Sequence, residues 1–271
     1  MVKAEDDMYL LPRNLQETHR LDFQHYLLRQ LFKGLIVAPI DSSPLSILDV
    51  GCGTGRWPQE VAVHYPSTQV IGLDLDQSLQ QRLPGIGHNY TFMQGNILNG
   101  LPFPDKSFDY VHQRLLVAGL PARQWPLVIR ELVRVTRVSG WVELVEAGNA
   151  FIQIGPLTQQ FLSWWIALSR TRGIDATIVE RLGPLLQQAG IKQVKTLTFD
   201  LPIGAQGQGE QRRLGDLLAR DMLAGFPNLK GPCHQVLNVP EREFDHVMQG
   251  LAQEWERFHS RYRFYVTYGQ R

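Results

Sequence analysis

The spacing of hydrophobic residues predicts a helix near the start of the chain and a change of pattern near residue 45. Over residues 14–34, leucines and aromatic residues recur at steps of three and four, and Gly34 supplies a stop. Residues 45–50 form instead a short apolar run that ends on glycines, as a buried strand does. The chain is therefore expected to pass from an opening helix into a sheet.

Strand and helix patterns then alternate along the first half of the chain. Short apolar runs predict strands at residues 45–50, 69–74, 90–94, 108–112 and 141–146. Helical spacing lies between them at residues 57–65 and 123–137. Strands separated by helices predict a parallel sheet that is covered on both faces, with right-handed crossovers.

The second half predicts more helices and two more strands. Helices are expected at residues 157–172, 178–189, 211–223 and 241–259, and strands at residues 193–201 and 263–268. We divide the chain into an N-terminal helical cap (1–44), a core (45–150) and a remainder of the same domain (151–271). This last part combines helical lid and substrate-recognition insertions with the final strand.

A glycine-rich turn follows the first predicted strand, in the run ILDVGCGTG at residues 47–55. Gly51 lets the chain turn sharply, and Gly53 lets the backbone approach a ligand with no Cβ in the way. Gly55 permits close packing of the following helix on the strand. Free N–H groups at the start of that helix favour an anionic group, so the turn predicts a nucleotide-like ligand.

Asp74 ends the second predicted strand, 25 residues after Asp49, at the neighbouring edge of the same crevice. A carboxylate there can accept both hydroxyls of a ribose, and Leu75 would offer an apolar face to a base. Asp76 is a competing acid, or it caps the helix that follows. The third glycine of the turn comes one residue earlier than in the GxGxxG of nicotinamide-dependent oxidoreductases, which remain an alternative.

Five motifs together resemble a known family. ILDVGCGTG, VIGLDLD, QGNI, LPFPDKSFDYVHQRLL and ELVRVTRVSGWVELVE follow one another as in class I S-adenosylmethionine (SAM)-dependent methyltransferases, over residues 45–147. YLLP at residues 9–12, with Arg20-Leu21 and Gln24-His25, resembles fungal methyltransferase-like regulators of secondary metabolism. The closing FYVTYG is similar to the last strand of quinone-biosynthesis methyltransferases. The resemblance implies an α/β, Rossmann-like, doubly wound sheet of seven strands, mostly parallel with an antiparallel last strand, under a lid of N- and C-terminal helical additions.

The resemblance also implies the contacts of the cofactor. These are expected from Tyr9, Arg20, Gly51, Cys52, Gly53, Asp74, Leu75, Asn96, Ile97, His112 and Gln113. The glycine turn would hold the methionine part, Asp74 the ribose and Asn96 the adenine edge, where many relatives have Asp. Tyr9 and Arg20 would close over the cofactor, and Arg20 would pair with its carboxylate.

Candidates for catalysis and for acceptor binding lie further along the chain. His112 ends the fourth predicted strand, where its imidazole either acts on the acceptor or only its backbone contributes. Glu146 ends the fifth and is a second candidate acid or base. Trp164 and Trp165 belong to an aromatic helix that either packs on the sheet or walls the acceptor pocket. His234 lies in a predicted loop that would cover the site.

Composition narrows the class of partner. The chain has 27 basic and 26 acidic residues, with a net charge of +1, which provides no electrostatic reason to bind nucleic acid or an anionic membrane. After the fourth strand it has His112-Gln113-Arg114-Leu115 and no Pro-Pro run, unlike enzymes that methylate DNA bases or protein glutamines. Only two cysteines are present, and their spacing is not that of metal ligands. The sequence also has no apolar run of the roughly 20 residues that a membrane span requires. These features predict a cytoplasmic protein with no metal. The oligomeric state, monomer or homodimer, stays open.

The predicted function is therefore methyl transfer from SAM to a small apolar or aromatic metabolite by in-line displacement, leaving S-adenosylhomocysteine. Two alternatives stay open from the sequence. One is a SAM-binding regulatory or interaction protein without turnover, and the other is an NAD(P)-dependent oxidoreductase.

Overall fold

A computed structural model describes residues 15–40, 44–80, 86 and 88–271 of the chain. Within them, helices and strands alternate up to the fifth strand, and helices dominate afterwards. The elements are α1 (Leu15–Leu31), β1 (Ser46–Val50), α2 (Arg56–His64), β2 (Gln69–Asp74), β3 (Tyr90–Gln94), β4 (Phe108–Arg114), α3 (Trp125–Val135), β5 (Thr136–Ile152), α4 (Pro156–Thr171), α5 (Leu182–Gln188), β6 (Lys192–Pro202), α6 (Gly209–Gly225), α7 (Lys230–Leu237), α8 (Glu241–Phe258) and β7 (Arg261–Gln270).

The described strands form one sheet in the order β3-β2-β1-β4-β5-β7-β6. β7 pairs antiparallel with both β5 and β6, while β1 to β5 run parallel to one another. This confirms the predicted doubly wound sheet with an antiparallel last strand. The chain moves outward from β1 to β3 and then returns to β4, so the crevice between β1 and β4 is the topological switch point where such folds bind ligands.

Helices cover both faces of the sheet. On one face, α3 and α5 pack on alternate side chains of β1, β4 and β5, including the fully buried Leu48, Val111 and Leu144. On the other face, α2 and residues 36–40 pack on the intervening positions, with Trp57 against Tyr110. Burial of both faces explains why the central strands read as continuous apolar runs in the sequence.

A second hydrophobic cluster lies beyond the carboxyl edge of the parallel strands. α1, α4, α6, α7 and α8 contribute to it, and it contains the buried Trp255 and Phe264. Glu254 of α8 joins two of these helices, because its carboxylate accepts the N–H groups of Leu157 and Thr158 at 2.7 Å, at the start of α4. A carboxylate at that end also interacts favourably with the helix dipole. These helices form the lid that the sequence predicted.

Two predicted elements differ in the structure. The segment around Gly231 and His234, predicted as a loop, belongs to α7. The helix tolerates Pro232 because this residue lies in the first turn, where a missing N–H breaks no hydrogen bond within the helix. β5 is longer than predicted and continues through residue 150, the predicted boundary of the core, to Ile152. No helix in the described part of the chain has the length and apolar character needed to cross a bilayer.

Candidate active site

A cavity of about 370 Å³ lies at the carboxyl ends of β1, β2 and β4, between the sheet and the lid helices. Its wall has two chemically different parts. The first consists of the glycine turn, the ends of β2 and β3, and the loop after β4. The second consists of the extension of β5, together with α4, α6 and β7. We call these the glycine-turn half and the aromatic half.

The glycine turn has the backbone that its sequence predicts. Gly51, Gly53 and Gly55 have φ of 72°, 55° and 77°, a region that side chains with a Cβ rarely adopt. A Cβ on Gly51 would lie 2.5 Å from a methyl carbon of Leu116, and one on Gly55 would lie 2.7 Å from Oε1 of Gln80. The Gly51 N–H donates to the carbonyl of Leu73 at 2.7 Å, which fixes the turn to the end of β2.

Asp74 lines the cavity where β2 ends. Its Oδ2 accepts the N–H of Gly53 at 2.8 Å, and its Oδ1 accepts the N–H of Asp76 at 3.0 Å. Burial raises the pKa of the Asp74 carboxyl, although these two N–H groups act in the opposite direction. The neighbouring Asp76 accepts the N–H of Ser78 at 2.8 Å, and so it caps a short 3-10 helix. The structure thus distinguishes the two acids that the sequence left in competition.

Side chains predicted for the adenine also border the cavity. Leu75, Asn96 and Ile97 all contribute to its wall, beside Asp74. Leu75 is 38% exposed, which leaves an apolar surface open to a ligand. Oδ1 of Asn96 accepts the N–H of Leu98 at 2.9 Å, so this side chain also caps the 3-10 helix Ile97–Asn99. The cavity brings these residues together with Gly51, Cys52, Gly53 and Asp74.

Arg20 reaches the cavity from α1, but its guanidinium is already paired. Nε and Nη2 donate to Glu17 at 2.8 and 2.7 Å, and Nη1 donates to Asp221 of α6 at 2.8 Å. Nε2 of Gln24 also donates to Asp221, at 3.0 Å. Arg20 thus joins α1 to α6 at the cavity wall. Tyr9, the other residue predicted to close over the cofactor, lies outside the described residues.

His112 lies beneath the cavity wall and is only 1% exposed. Its Nδ1 is 2.7 Å from Oδ1 of Asp49, and its ring stacks on Trp57 with centroids 3.8 Å apart. The side chain does not contribute to the lining of the cavity. Its placement instead orders the face between β1, β4 and α2.

Glu146 and Gln113 are also buried away from the lining. Gln113 donates to the Glu146 carboxylate through a short hydrogen bond. The same carboxylate accepts the N–H of Leu116 at 2.8 Å and of Val117 at 3.1 Å. Burial raises the pKa of Glu146 to about 8. Because Leu116 and Val117 both line the cavity, Glu146 positions the loop after β4.

The aromatic half contains one of the two predicted tryptophans. Trp165 lines the cavity, and its Nε1 donates to Oδ1 of Asn149 at 3.0 Å. Trp164 is buried in the lid, where it stacks on Phe244 with centroids 5.8 Å apart. His234 also lies outside the lining, and its Nδ1 is 3.1 Å from the carbonyl of Val239.

Other aromatic side chains of this half were not predicted as site residues. They are Phe151, Phe161, Phe226, Tyr262 and Phe264. Phe161 and Phe226 lie in segments whose aromatic character was noted in the sequence. Phe151, Tyr262 and Phe264 lie where β5 and β7 continue past the parallel strands. Predicting the full length of these two strands from the sequence would have indicated them.

Comparison with known proteins places this site in a family. The profile of the methyltransferase domain matches residues 47–140, which contain the glycine turn, Asp74 and β4. A methyltransferase of Strobilurus tenacellus is 30% identical over 206 residues, which cover 74% of this chain and 73% of that protein. The chain belongs to the class I SAM-dependent methyltransferases. Membership in this family supports methyl transfer from SAM as the function, rather than nicotinamide-dependent oxidoreduction or SAM binding without turnover.

Other similarities extend over the whole methyltransferase. An N-methyltransferase of Aspergillus fumigatus is 25% identical over 97% of this chain and 96% of its own length. The solved structure of phosphoethanolamine N-methyltransferase 2 of Haemonchus contortus, in complex with SAM, has a TM-score of 0.53 at 12% identity. It matches 97% of this chain but only 54% of that enzyme, and it shows a shared fold.

Proposed function

We propose that this methyltransferase binds SAM in the glycine-turn half of the cavity and a small apolar or aromatic metabolite in the aromatic half. The observation that carries the proposal is that one continuous cavity has both linings, and that they meet above β4 and β5. An apolar pocket with a few polar groups is the usual form of a small-molecule site.

The cofactor half has suitable partners for each part of SAM. Asp74 can accept both ribose hydroxyls, because each carboxylate oxygen has a second lone pair beyond the one used by Gly53 or Asp76. Leu75 and Ile97 offer apolar surface to the adenine. The backbone of Gly51 and Gly53 approaches the cavity with no Cβ in the way. In this proposal the methionine part of SAM extends toward β4.

The aromatic half has little charge to recognise an acceptor. Asp221 is the acidic residue of this wall, and it is paired with Arg20 and Gln24. The hydroxyl of Tyr262 donates to the carbonyl of Gly148 at 2.8 Å, and Asn149 accepts from Trp165. An acceptor is therefore held mainly by burial of apolar and aromatic surface, at about 25 cal/mol per Å².

Positioning supplies most of the rate in this mechanism. SAM, when bound, supplies an electrophilic methyl group on sulfur. An acceptor lone pair forms the new bond to that carbon while the C–S bond breaks, its electron pair stays on sulfur, and any acceptor proton passes to water. Holding an acceptor in line can provide effective molarities of about 10⁵ M and above. Neither His112 nor Glu146 lines the cavity, so the walls orient the acceptor and no side chain need act as base.

Transfer of labelled methyl tests the proposal. The enzyme is incubated with methyl-labelled SAM and a panel of aromatic and aliphatic amines, phenols and thiols, and organic extracts are counted. Secondary amines are included because the A. fumigatus relative is an N-methyltransferase. We expect label in products with an aromatic or apolar body and none in small charged acceptors. Label confined to charged acceptors, nucleic acid or added protein would contradict the proposal.

A further inference from the structure

Arg114 is a cation at the cavity wall that the sequence motifs did not single out. It is the last residue of β4, and it follows Gln113, which pairs with Val50 of β1. Arg114 therefore lies directly beside Gly51, where the glycine turn begins. Side chains alternate along a strand, so it projects from the same face as His112, toward α1. Arg114 is one of the residues that line the cavity.

The guanidinium of Arg114 has little to neutralise it in the described part of the chain. Its hydrogen-bond partner there is a neutral nitrogen, Nδ1 of His25 at 3.2 Å. The nearest acids are engaged elsewhere, since Asp49 holds His112 and Glu60 binds both His25 and Arg29. Burial lowers the pKa of Arg114, and the charges of Asp49 and Glu60 only partly offset it. A guanidinium enclosed without a paired carboxylate is costly, so a ligand with an anionic group would stabilise it.

His25 holds Arg114 in one orientation. Its Nε2 is 3.3 Å from Oε2 of Glu60, and a carboxylate beside that nitrogen favours the tautomer with its proton on Nε2, which leaves Nδ1 to accept from Arg114. Burial lowers the pKa of His25, and the adjacent Arg114 contributes to this, so the ring stays neutral. The guanidinium is thus fixed by one nitrogen, and its other donors remain for a ligand.

The position of Arg114 corresponds to one end of the cofactor. Asp74 ends β2, and two strand spacings of about 4.8 Å put the end of β4 about 10 Å from it. SAM carries one anionic group, the carboxylate of its methionine part, at the end opposite the adenine. A ribose at Asp74 and an adenine near β3 direct that carboxylate toward β4. Arg20, the residue expected to bind it, is already paired with Glu17 and Asp221.

We propose that Arg114 binds the α-carboxylate of the methionine part of SAM, and that His25 positions its guanidinium. This inference rests on the proposed placement of SAM in the glycine-turn half. It makes Arg114 the residue that discriminates the complete cofactor from analogues without the carboxylate. Guanidinium and carboxylate match in a bidentate geometry, which lysine does not reproduce.

Three ligands separate the carboxylate from the rest of the cofactor. S-adenosylhomocysteine has the carboxylate. Decarboxylated SAM lacks the carboxylate but keeps the other polar groups of SAM, and 5′-deoxy-5′-methylthioadenosine lacks the whole amino-acid part. Affinities are measured by calorimetry for the wild type, Arg114→Met, Arg20→Met and Arg29→Met. Arg29 is the matched control, because it lies on α1 with His25, pairs with Glu60 of α2 and does not line the cavity.

We expect Arg114→Met to weaken S-adenosylhomocysteine about 10- to 100-fold, the range for a lost hydrogen bond between charged groups. Its affinity for methylthioadenosine should stay within about twofold, which also shows that the variant is folded, and Arg29→Met should bind all three ligands as the wild type does. The inference is overturned if Arg114→Met weakens all three ligands equally, leaves S-adenosylhomocysteine unchanged, or raises only the KM of a carboxylate-bearing acceptor. It is also overturned if Arg20→Met alone removes the preference for the carboxylate. A wild-type enzyme that binds none of the adenosyl ligands would refute instead the proposed function on which it rests.

Discussion

Two variants of Glu146, Glu146→Gln and Glu146→Leu, distinguish a catalytic role of this residue from a positioning role. Its carboxylate accepts from Leu116, Val117 and Gln113, and it has no contact with the cavity. A general base must exchange a proton, whereas a positioning residue needs only its acceptor oxygens. Glu146→Gln keeps one carbonyl oxygen for Leu116 and Gln113, and Glu146→Leu keeps none at similar volume.

The cost of each variant follows from the donors that lose their partner. A buried donor left unsatisfied costs about 1–3 kcal/mol. In Glu146→Gln, the side-chain NH₂ faces Val117 and leaves the N–H of Val117 without an acceptor. This variant should therefore lower the free energy of unfolding by about 1–3 kcal/mol. Glu146→Leu leaves three donors unsatisfied, the N–H groups of Leu116 and Val117 and the side-chain amide of Gln113, for about 3–9 kcal/mol. It also disorders a loop that lines the cofactor cavity.

Urea unfolding and steady-state kinetics measure the two effects in the same preparations. We expect Glu146→Gln to keep kcat within about threefold, because positioning survives, and general-base loss would cost about 100-fold or more. Glu254→Gln is the matched control. Its carboxylate also accepts two backbone N–H groups, but at the start of α4 and outside the cavity lining, so it should lower stability without changing SAM affinity. A Glu146→Gln enzyme with wild-type stability and a hundredfold lower kcat would refute the reasoning.

Two further predictions follow from the pocket and from the pKa of Glu146. Trp165→Ala should raise the KM of the acceptor about tenfold or more and leave the affinity for S-adenosylhomocysteine unchanged, because Trp165 lines only the aromatic half. Initial rates and calorimetry measure the two effects, and equal losses for both ligands would contradict the prediction. Burial raises the pKa of Glu146 to about 8 in the folded protein from its ordinary value of 4.5, so the folded state binds more protons than the unfolded state between these values. Its contribution to stability is therefore present below about pH 4.5 and is lost as the pH rises to about 8, by up to about 1.4 kcal/mol per pH unit. The unfolding free energy of the wild type relative to Glu146→Gln should fall across this window, and a constant difference would contradict the assignment.

Local patterns were sufficient to predict the sheet. The strands that became β1, β2 and β4 are short apolar runs bounded by glycine or polar residues, and both of their faces are buried, so the run itself carries the signal. The glycine turn and Asp74 follow for the same reason, since a turn at positive φ restricts the residue type directly. The extent of β5 and β7 past the sheet edge depends on pairing between distant segments, which no local pattern contains.

Side-chain direction and pairing were out of reach of the sequence. The sequence placed His112 and Glu146 at strand ends, whereas β4 continues to Arg114 and β5 to Ile152. Only the packed structure shows that Trp57 covers the imidazole and that a loop surrounds the carboxylate. Arg20 and Arg114 are both cations near the cofactor motifs. The difference between them arises from Asp221, which is 201 residues from Arg20 in the chain.

The affinity of Asp74 and Asp76 variants for S-adenosylhomocysteine tests the placement of the cofactor most directly. Both acids border the cavity, but only Asp74 has its carboxylate at the glycine turn, while Asp76 caps the 3-10 helix after β2. Calorimetry should show at least about 100-fold weaker binding for Asp74→Ala, since two charge-assisted hydrogen bonds to ribose are lost, and a change within about threefold for Asp76→Ala. Unchanged binding in Asp74→Ala, or a large loss confined to Asp76→Ala, would contradict the account.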